Sequence, residues 1–230
     1  KISIKSLLNN KFLFEDISIS TKSIAIKDLI TLIRLFNNDP KLFIAEKLIK
    51  KGYVVANLKL EFDQKGKIKN NYKFNGLVKD GKIDVFKKYD VNKLDLNFEI
   101  NEKELKFKNI QLLLNKSNIF IPELVALNQN KGYLISGNLI TNNTGFNKTE
   151  IEKFINEDFL EIDIQEILFD SKNNFNFELI KNFKVKDINK KLDIDIDILK
   201  IRNSFQLKNI FPEIKKDFIF KNQKLKVEYE

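Results

Sequence analysis

The sequence predicts a mainly β fold with a few helices, built as a repetitive antiparallel sheet, and three observations predict it. Apolar and polar residues alternate along most of the chain, as in "KLDIDIDILKI", where Leu192, Ile194, Ile196 and Ile198 interleave with Asp193, Asp195 and Asp197. Short Asn, Lys, Gly and Asp turns bound these runs, the mark of half-buried antiparallel strands. A strand-turn-strand unit of about 28 residues recurs in "ANLKLEFDQKGKIKNNYKFNGLVKDGKI", "NKLDLNFEINEKELKFKNIQLLLNKSNI" and "LEIDIQEILFDSKNNFNFELIKNFKVKDI", and a recurring unit of this size points to a stack.

Taken in order, the alternation places strands at 12–20, 53–63, 67–79, 93–101, 104–115, 118–127, 132–141, 160–170, 174–187, 191–203 and 218–229. Helical spacing of Leu29, Ile30, Leu32, Ile33 and Phe36 predicts a helix over 26–37. Asp39 is placed as N-cap and Pro40 at the first turn of a second helix over 41–51, with Gly52 as its stop. In that helix Lys41, Lys47, Lys50 and Lys51 ring Phe43, Ile44, Leu48 and Ile49. Docking of this side against the sheet is the simpler expectation, and contact with a membrane surface is the alternative. A third helix is expected over 149–158, capped by Thr149 with Glu152 three residues on. The uncharged stretch 132–147 reads as a strand followed by a loop. No Pro/Gly/Ser-rich linker divides the chain, so residues 1–230 read as one continuous domain with helical insertions near 26–51 and 149–158.

Composition removes much familiar chemistry. The chain has no Cys and no His, which excludes disulfides, thiolate chemistry, the common zinc sites and the Ser-His or Cys-His arrangements. Its seven glycines are scattered at turns such as Gly66 and Gly81, without a Walker or Rossmann run, and no carboxylate pair is marked as catalytic. The reading is a protein that is not an enzyme, with no cofactor and no metal. Residues two apart on a strand lie about 6.5–7 Å apart, too far for the three aspartates to share one Ca²⁺. They read as the wet side of a strand, ion-paired across to lysines.

The net charge of +9 raises nucleic acid as a partner. However, only Arg34 and Arg202 are Arg among 41 basic residues, and bidentate recognition leans on Arg. Phe12, Phe14, Phe62, Phe74, Phe98, Phe107, Phe175 and Phe177 share the alternating face of the Leu and Ile, so no exposed stacking platform forms. Lysine joins Asn, Ile and Phe as the residues that A/T-rich codons supply, which accounts for the lysine excess; its surface consequence is weak attraction to acidic headgroups. The chain opens on Lys1 and holds no Met, which predicts a piece of a longer protein. No run approaches the roughly 18–20 apolar residues that span a bilayer.

The apolar side is the informative one. Leu58, Leu60 and Phe62, Tyr72 and Phe74, Leu94, Leu96, Phe98 and Ile100, Leu105 and Phe107, and Ile194, Ile196 and Ile198 all fall on it. Three helices cover only part of so much dry face. The remainder meets a second sheet or a non-protein apolar ligand, and periodicity alone favours a closed sandwich.

The repeated "LxLxF" strands, the stretch "DQKGKIKNNYKFNGLVKDGKI" with its turn glycine and "YxFxGxV", and the helix pair running into "LIKKGYVVANLKLEF" carry a resemblance. Over residues 24–200 the chain resembles bacterial AsmA-like envelope proteins, the repeating β-groove lipid-transfer type that includes YhdP and TamB relatives. The resemblance implies an extended, curved antiparallel sheet forming an open apolar groove, with the residues above as lipid-binding positions. It also implies phospholipid acyl chains as the cargo, an inner-membrane anchor outside this fragment, and a periplasmic location. The function expected is a segment of a conduit for phospholipid between inner and outer membranes; the alternative is a closed sandwich or α+β interaction module.

Overall fold

The computed structural model describes residues 2–9, 11–36, 40–69, 71–85, 89–114, 117–130, 132–154, 163–180, 184–202 and 217–229. Strands β1 (Ile2–Asn9), β2 (Lys11–Ser20) and β3 (Ile24–Ala25) precede helices α1 (Ile26–Phe36) and α2 (Pro40–Leu48). There follow β4 (Ile49–Glu61), β5 (Lys73–Val85), β6 (Tyr89–Ile100), β7 (Glu104–Leu114), β8 (Ser117–Gln129) and β9 (Gly132–Asn147). Helix α3 (Lys148–Phe154) leads to β10 (Ile164–Ile180), β11 (Val185–Arg202) and β12 (Asp217–Tyr229).

The strands form one antiparallel sheet in the order β1-β2-β4-β5-β6-β7-β8-β9-β10-β11-β12, with the short β3 added beside β4. Each long strand joins its predecessor, as hairpins do when polar turns alternate with apolar runs. The sheet is open and does not close into a barrel. Among the described residues no strand crosses to a second sheet, so the closed sandwich that periodicity favours does not form.

The chain divides into two compact units. In the first, Lys1–Asn138 with Phe175–Ile188, Val54, Ala56 and Phe98 are buried and gather Ile24, Ile26, Leu29, Phe74, Val78, Leu96, Ile100 and Phe107 around them. Helix α1 thereby covers part of the apolar side of β4–β6. In the second, Leu139–Asn174 with Asn189–Glu230, Ile151 of α3 and Ile196 of β11 are buried. Thr141 and Ser171 are also buried and share a hydrogen bond of 2.8 Å, and the rings of Phe146 and Phe169 lie 6.0 Å apart.

Several sequence expectations are corrected. The second helix ends at Leu48 and the chain passes directly into β4, so Gly52 is a strand residue with φ 136 rather than a helix stop. A Cβ there would meet the Ile26 side chain at 2.8 Å and Gly81 Cα at 3.0 Å, so the glycine serves close packing. The Asp39 cap lies outside the described residues. Helix α3 is capped by Asn147, not Thr149: Asn147 Oδ1 accepts from Glu150 N at 3.0 Å and Glu150 Oε2 accepts from Asn147 N at 3.1 Å, a reciprocal capping box. The part of the expected helix beyond 154 lies outside the described residues. The loop expected after residue 141 is strand through Asn147. The strand expected from 67 begins at 73, because Asp63 turns the chain instead, its carboxylate accepting from the amides of Lys65 and Lys67.

These extended strands share a device. Asp80, Lys93, Asn109, Asn143, Asp187 and Asn222 have φ between 48 and 53, the left-handed region that β-bulges use. Register confirms one-residue slips at Val78/Gly81 in β5, at Asn92/Asp95 in β6, and on the β7 side of Asp95/Asn97. At each the apolar parity changes. Phe74, Gly76 and Val78 precede Asp80, and Gly81 and Ile83 follow it; Leu105 and Phe107 precede Asn109, and Ile110, Leu112 and Leu114 follow it. The slip keeps apolar residues on one side of a long strand.

Candidate functional site

The candidate site is the apolar side of the sheet, described within each unit. In the first unit the register lines up its side chains across six strands. Ile17 lies opposite Leu60 and Ile19 opposite Leu58; Leu58 faces Phe74; Phe74 faces Ile100 and Val78 faces Leu96; Phe98 faces Phe107 and Ile100 faces Leu105; Phe107 faces Leu124 and Leu105 faces Ala126. Beyond the bulges the row continues with Leu94 opposite Gly81, Ile83 opposite Val91, and Ile110 opposite Ile121. The expected residues Leu58, Leu60, Phe74, Leu94, Leu96, Phe98, Ile100, Leu105 and Phe107 are thus brought together. Phe62 sits at the edge of this set in an isolated bridge with Ile68, and Tyr72 precedes β5.

Aromatic rings are seated over glycines. Phe98 lies opposite Gly76, where a Cβ would stand 2.9 Å from its Cζ and 2.2 Å from the Val55 carbonyl oxygen. The Phe74 and Phe98 rings are 5.0 Å apart at 49°, a tilted geometry that suits their quadrupoles. Gly137 repeats the pattern beneath Phe175, whose Cζ would be 2.9 Å from a Cβ.

The opposite side of this unit is charged. Lys108 meets Glu99 at 2.8 Å, Lys79 meets Asp95 at 2.6 Å and Lys59 meets Glu61 at 3.2 Å. The mutual hydrogen bond holds Glu99 below the usual carboxylate range and raises Lys108. At the bulge, Asp80 N donates to Asp95 Oδ1 at 2.8 Å. Burial alone would raise Asp95, but Lys79 and this amide together outweigh it and hold the carboxyl below its ordinary value. The second unit repeats the contact: Asn143 N donates to Asp170 Oδ1 at 2.5 Å.

In the second unit Ile194 and Ile196 lie opposite Leu225 and Gln223, and Ile198 lies opposite Lys221. The aspartate row is ion-paired across to β12, Asp195 with Lys224 at 3.6 Å and Asp193 with Lys226 at 3.9 Å. Among the described residues no group of three or more carboxylates is placed to hold a metal ion. A cavity of about 490 Å³ is lined by charged and polar groups, Asp170, Ser171, Lys172, Asp193, Asp195 and Lys224 among them, together with the apolar Ile194 and Leu225.

How little covers the apolar side decides what the site can do. Among the described residues the buried hydrophobic side chains are Ile30, Val54, Ala56, Phe98, Ile110, Ile151 and Ile196, and no large one falls below 2% exposure. Within the first unit half-buried Leu, Ile and Phe side chains line the apolar side, with α1 as a partial cover.

The bulge residues escaped the sequence reading, although the change of apolar parity at Asp80, Asn109 and Asn222 is visible there. No helix among the described residues is long and apolar enough to cross a membrane. No known protein family, curated protein or solved structure matches the chain.

Proposed function

We propose that the chain is a segment of an AsmA-like lipid conduit, whose apolar sheet side carries phospholipid acyl chains between membranes of the bacterial envelope. The observation that carries this reading is a single open sheet whose Leu, Ile and Phe side has no second protein layer among the described residues. An acyl chain of about 16 carbons is disfavoured in water by on the order of 12 kcal/mol, at about 0.8 kcal/mol per CH₂. A surface lined by Leu58, Phe74, Leu96, Ile100, Leu105 and Phe107 needs only to match a bilayer interior, so a chain enters and leaves with little change in free energy. Sliding requires no catalytic residue. The headgroup stays in water, within reach of lysines at the margins of the apolar side.

The test is extraction of lipid from purified protein, with native mass spectrometry and uptake of a fluorescent phospholipid. Co-purifying phospholipid, and uptake abolished by Leu58→Lys with Leu105→Lys, both outside the buried cluster, is the expected result. A lipid-free monomer that takes up no phospholipid overturns the reading.

A further inference from the structure

We propose that the face of α2 bearing Phe43 and Ile44 is a docking site for an anionic bilayer surface. Phe43 and Ile44 are adjacent in sequence and 49% and 52% exposed, so packing of α2 leaves about half of each of these apolar side chains in water. Ala45, Glu46 and Leu48 are half-buried, and α2 packs beside α1 and β4. This corrects the expectation that the whole side of Phe43, Ile44, Leu48 and Ile49 docks on the sheet.

Charge names the occupant. The Arg34 guanidinium and the Lys47 ammonium each lie 5.4 Å from the centroid of the Phe43 ring, and exposed Lys50 is anchored beside them by donating to the Lys47 carbonyl at 2.8 Å. Glu46 pairs with Arg34, and Lys51 pairs with Asp80. Among the described residues Arg34, Lys47, Lys50 and Lys51 thus outnumber the two carboxylates paired with them, Glu46 and Asp80. Two exposed apolar side chains ringed by cations match an interface where hydrocarbon lies just beneath anionic headgroups. The docking inference stands apart from acyl-chain carriage, because it concerns adhesion to an intact bilayer.

The experiment is co-sedimentation of the protein with vesicles of equal parts phosphatidylcholine and phosphatidylglycerol, compared with pure phosphatidylcholine. Binding is expected to the first and to weaken with salt. Lys47→Gln with Lys50→Gln should lower the partition coefficient about thirty-fold, at about 1 kcal/mol per lysine near the surface. Phe43→Ser with Ile44→Ser should lower it by a similar factor, about half of each side chain being available to bury. Lys224→Gln with Lys226→Gln removes the same charge from β12 and should change binding less than twofold. Equal losses from the β12 variant would assign binding to net charge alone and overturn the proposal. So would unchanged binding by the Phe43/Ile44 variant, or a dimer that this variant converts to monomer, which would assign the patch to a protein partner.

Discussion

Truncating Phe98 and Leu105 in separate variants measures whether the apolar side is covered. Both lie in the same compact unit, so one unfolding transition reports on both. Phe98 is 7% exposed, enclosed by Val54, Ala56, Phe74 and Phe107, in a cluster that Ile26 and Leu29 of α1 also join. Phe98→Ala therefore leaves a cavity beneath a helix and should cost about 3–4 kcal/mol. Leu105 is half-buried between Ile100 and Ala126 and is not part of that cluster. Leu105→Ala removes three carbons at about 0.8 kcal/mol each, less the share already in water, and solvent fills the space, so no cavity term is added. About 1.5 kcal/mol is expected. Equilibrium urea denaturation supplies both numbers from the shift in midpoint at constant slope. A loss of 3 kcal/mol or more for Leu105→Ala with an unchanged slope would mean that another protein layer covers this side, and the reasoning for an open face would fail. A loss for Phe98→Ala as small as that for Leu105→Ala would remove the α1 cover.

Gly76→Ala should cost about 2 kcal/mol or more in the same assay, because the new Cβ would stand 2.2 Å from the Val55 carbonyl oxygen; a neutral substitution would show that β4 and β5 separate easily. Lys93 holds φ 49 without the local hydrogen bonding that Asn or Asp offers. Lys93→Gly should raise stability by up to about 1 kcal/mol, whereas a loss would argue against a left-handed bulge there. Asp95 is held below its ordinary value in the folded state by Lys79 and the Asp80 amide, against the opposing effect of burial. Its contribution is complete above the unfolded-state value and is lost as pH falls through the folded one. Asp95→Asn should therefore lower stability at neutral pH and flatten the acid limb of the stability profile; parallel limbs for the two proteins would contradict this.

The alternation of apolar and polar residues made the sheet legible, and the bulges mark where that legibility stopped. Reading by a period of two ended a strand at residue 79, began one at 93 and ended another at 141, each within two residues of Asp80, Lys93 or Asn143. In the folded chain β5, β6 and β9 run straight through these points. A period-two template loses phase where one residue is inserted, so a continuing strand looks like a strand followed by a turn. Asn and Asp at five of the six left-handed positions add to the impression, since the same residues favour turns. The α3 cap failed for a different reason. Asn147 with Glu150 and Thr149 with Glu152 both fit the capping pattern in "NKTEIE", and only the chain's exit from β9 selects the first.

The residues of the apolar side could be read from sequence because each strand declares its own dry face, but its cover could not, because α1 reaches that face through contacts distant in sequence. The bulges supply what local patterning lacks. A regularly twisting strand of 17 residues such as β10, or 18 such as β11, tends to carry its apolar row away from a fixed direction. An inserted residue re-aims the side chains that follow, and its amide, displaced from the ladder, needs an acceptor. Asp95 and Asp170 supply that acceptor from the neighbouring strand in the two units. In the first unit Asp95 and its Lys79 thereby stand on the wet side, while Phe74, Val78, Gly81 and Ile83 keep to the other along both halves of β5. That is the arrangement a hydrocarbon chain needs, because each unpaired charge along its path would cost more than several CH₂ groups contribute.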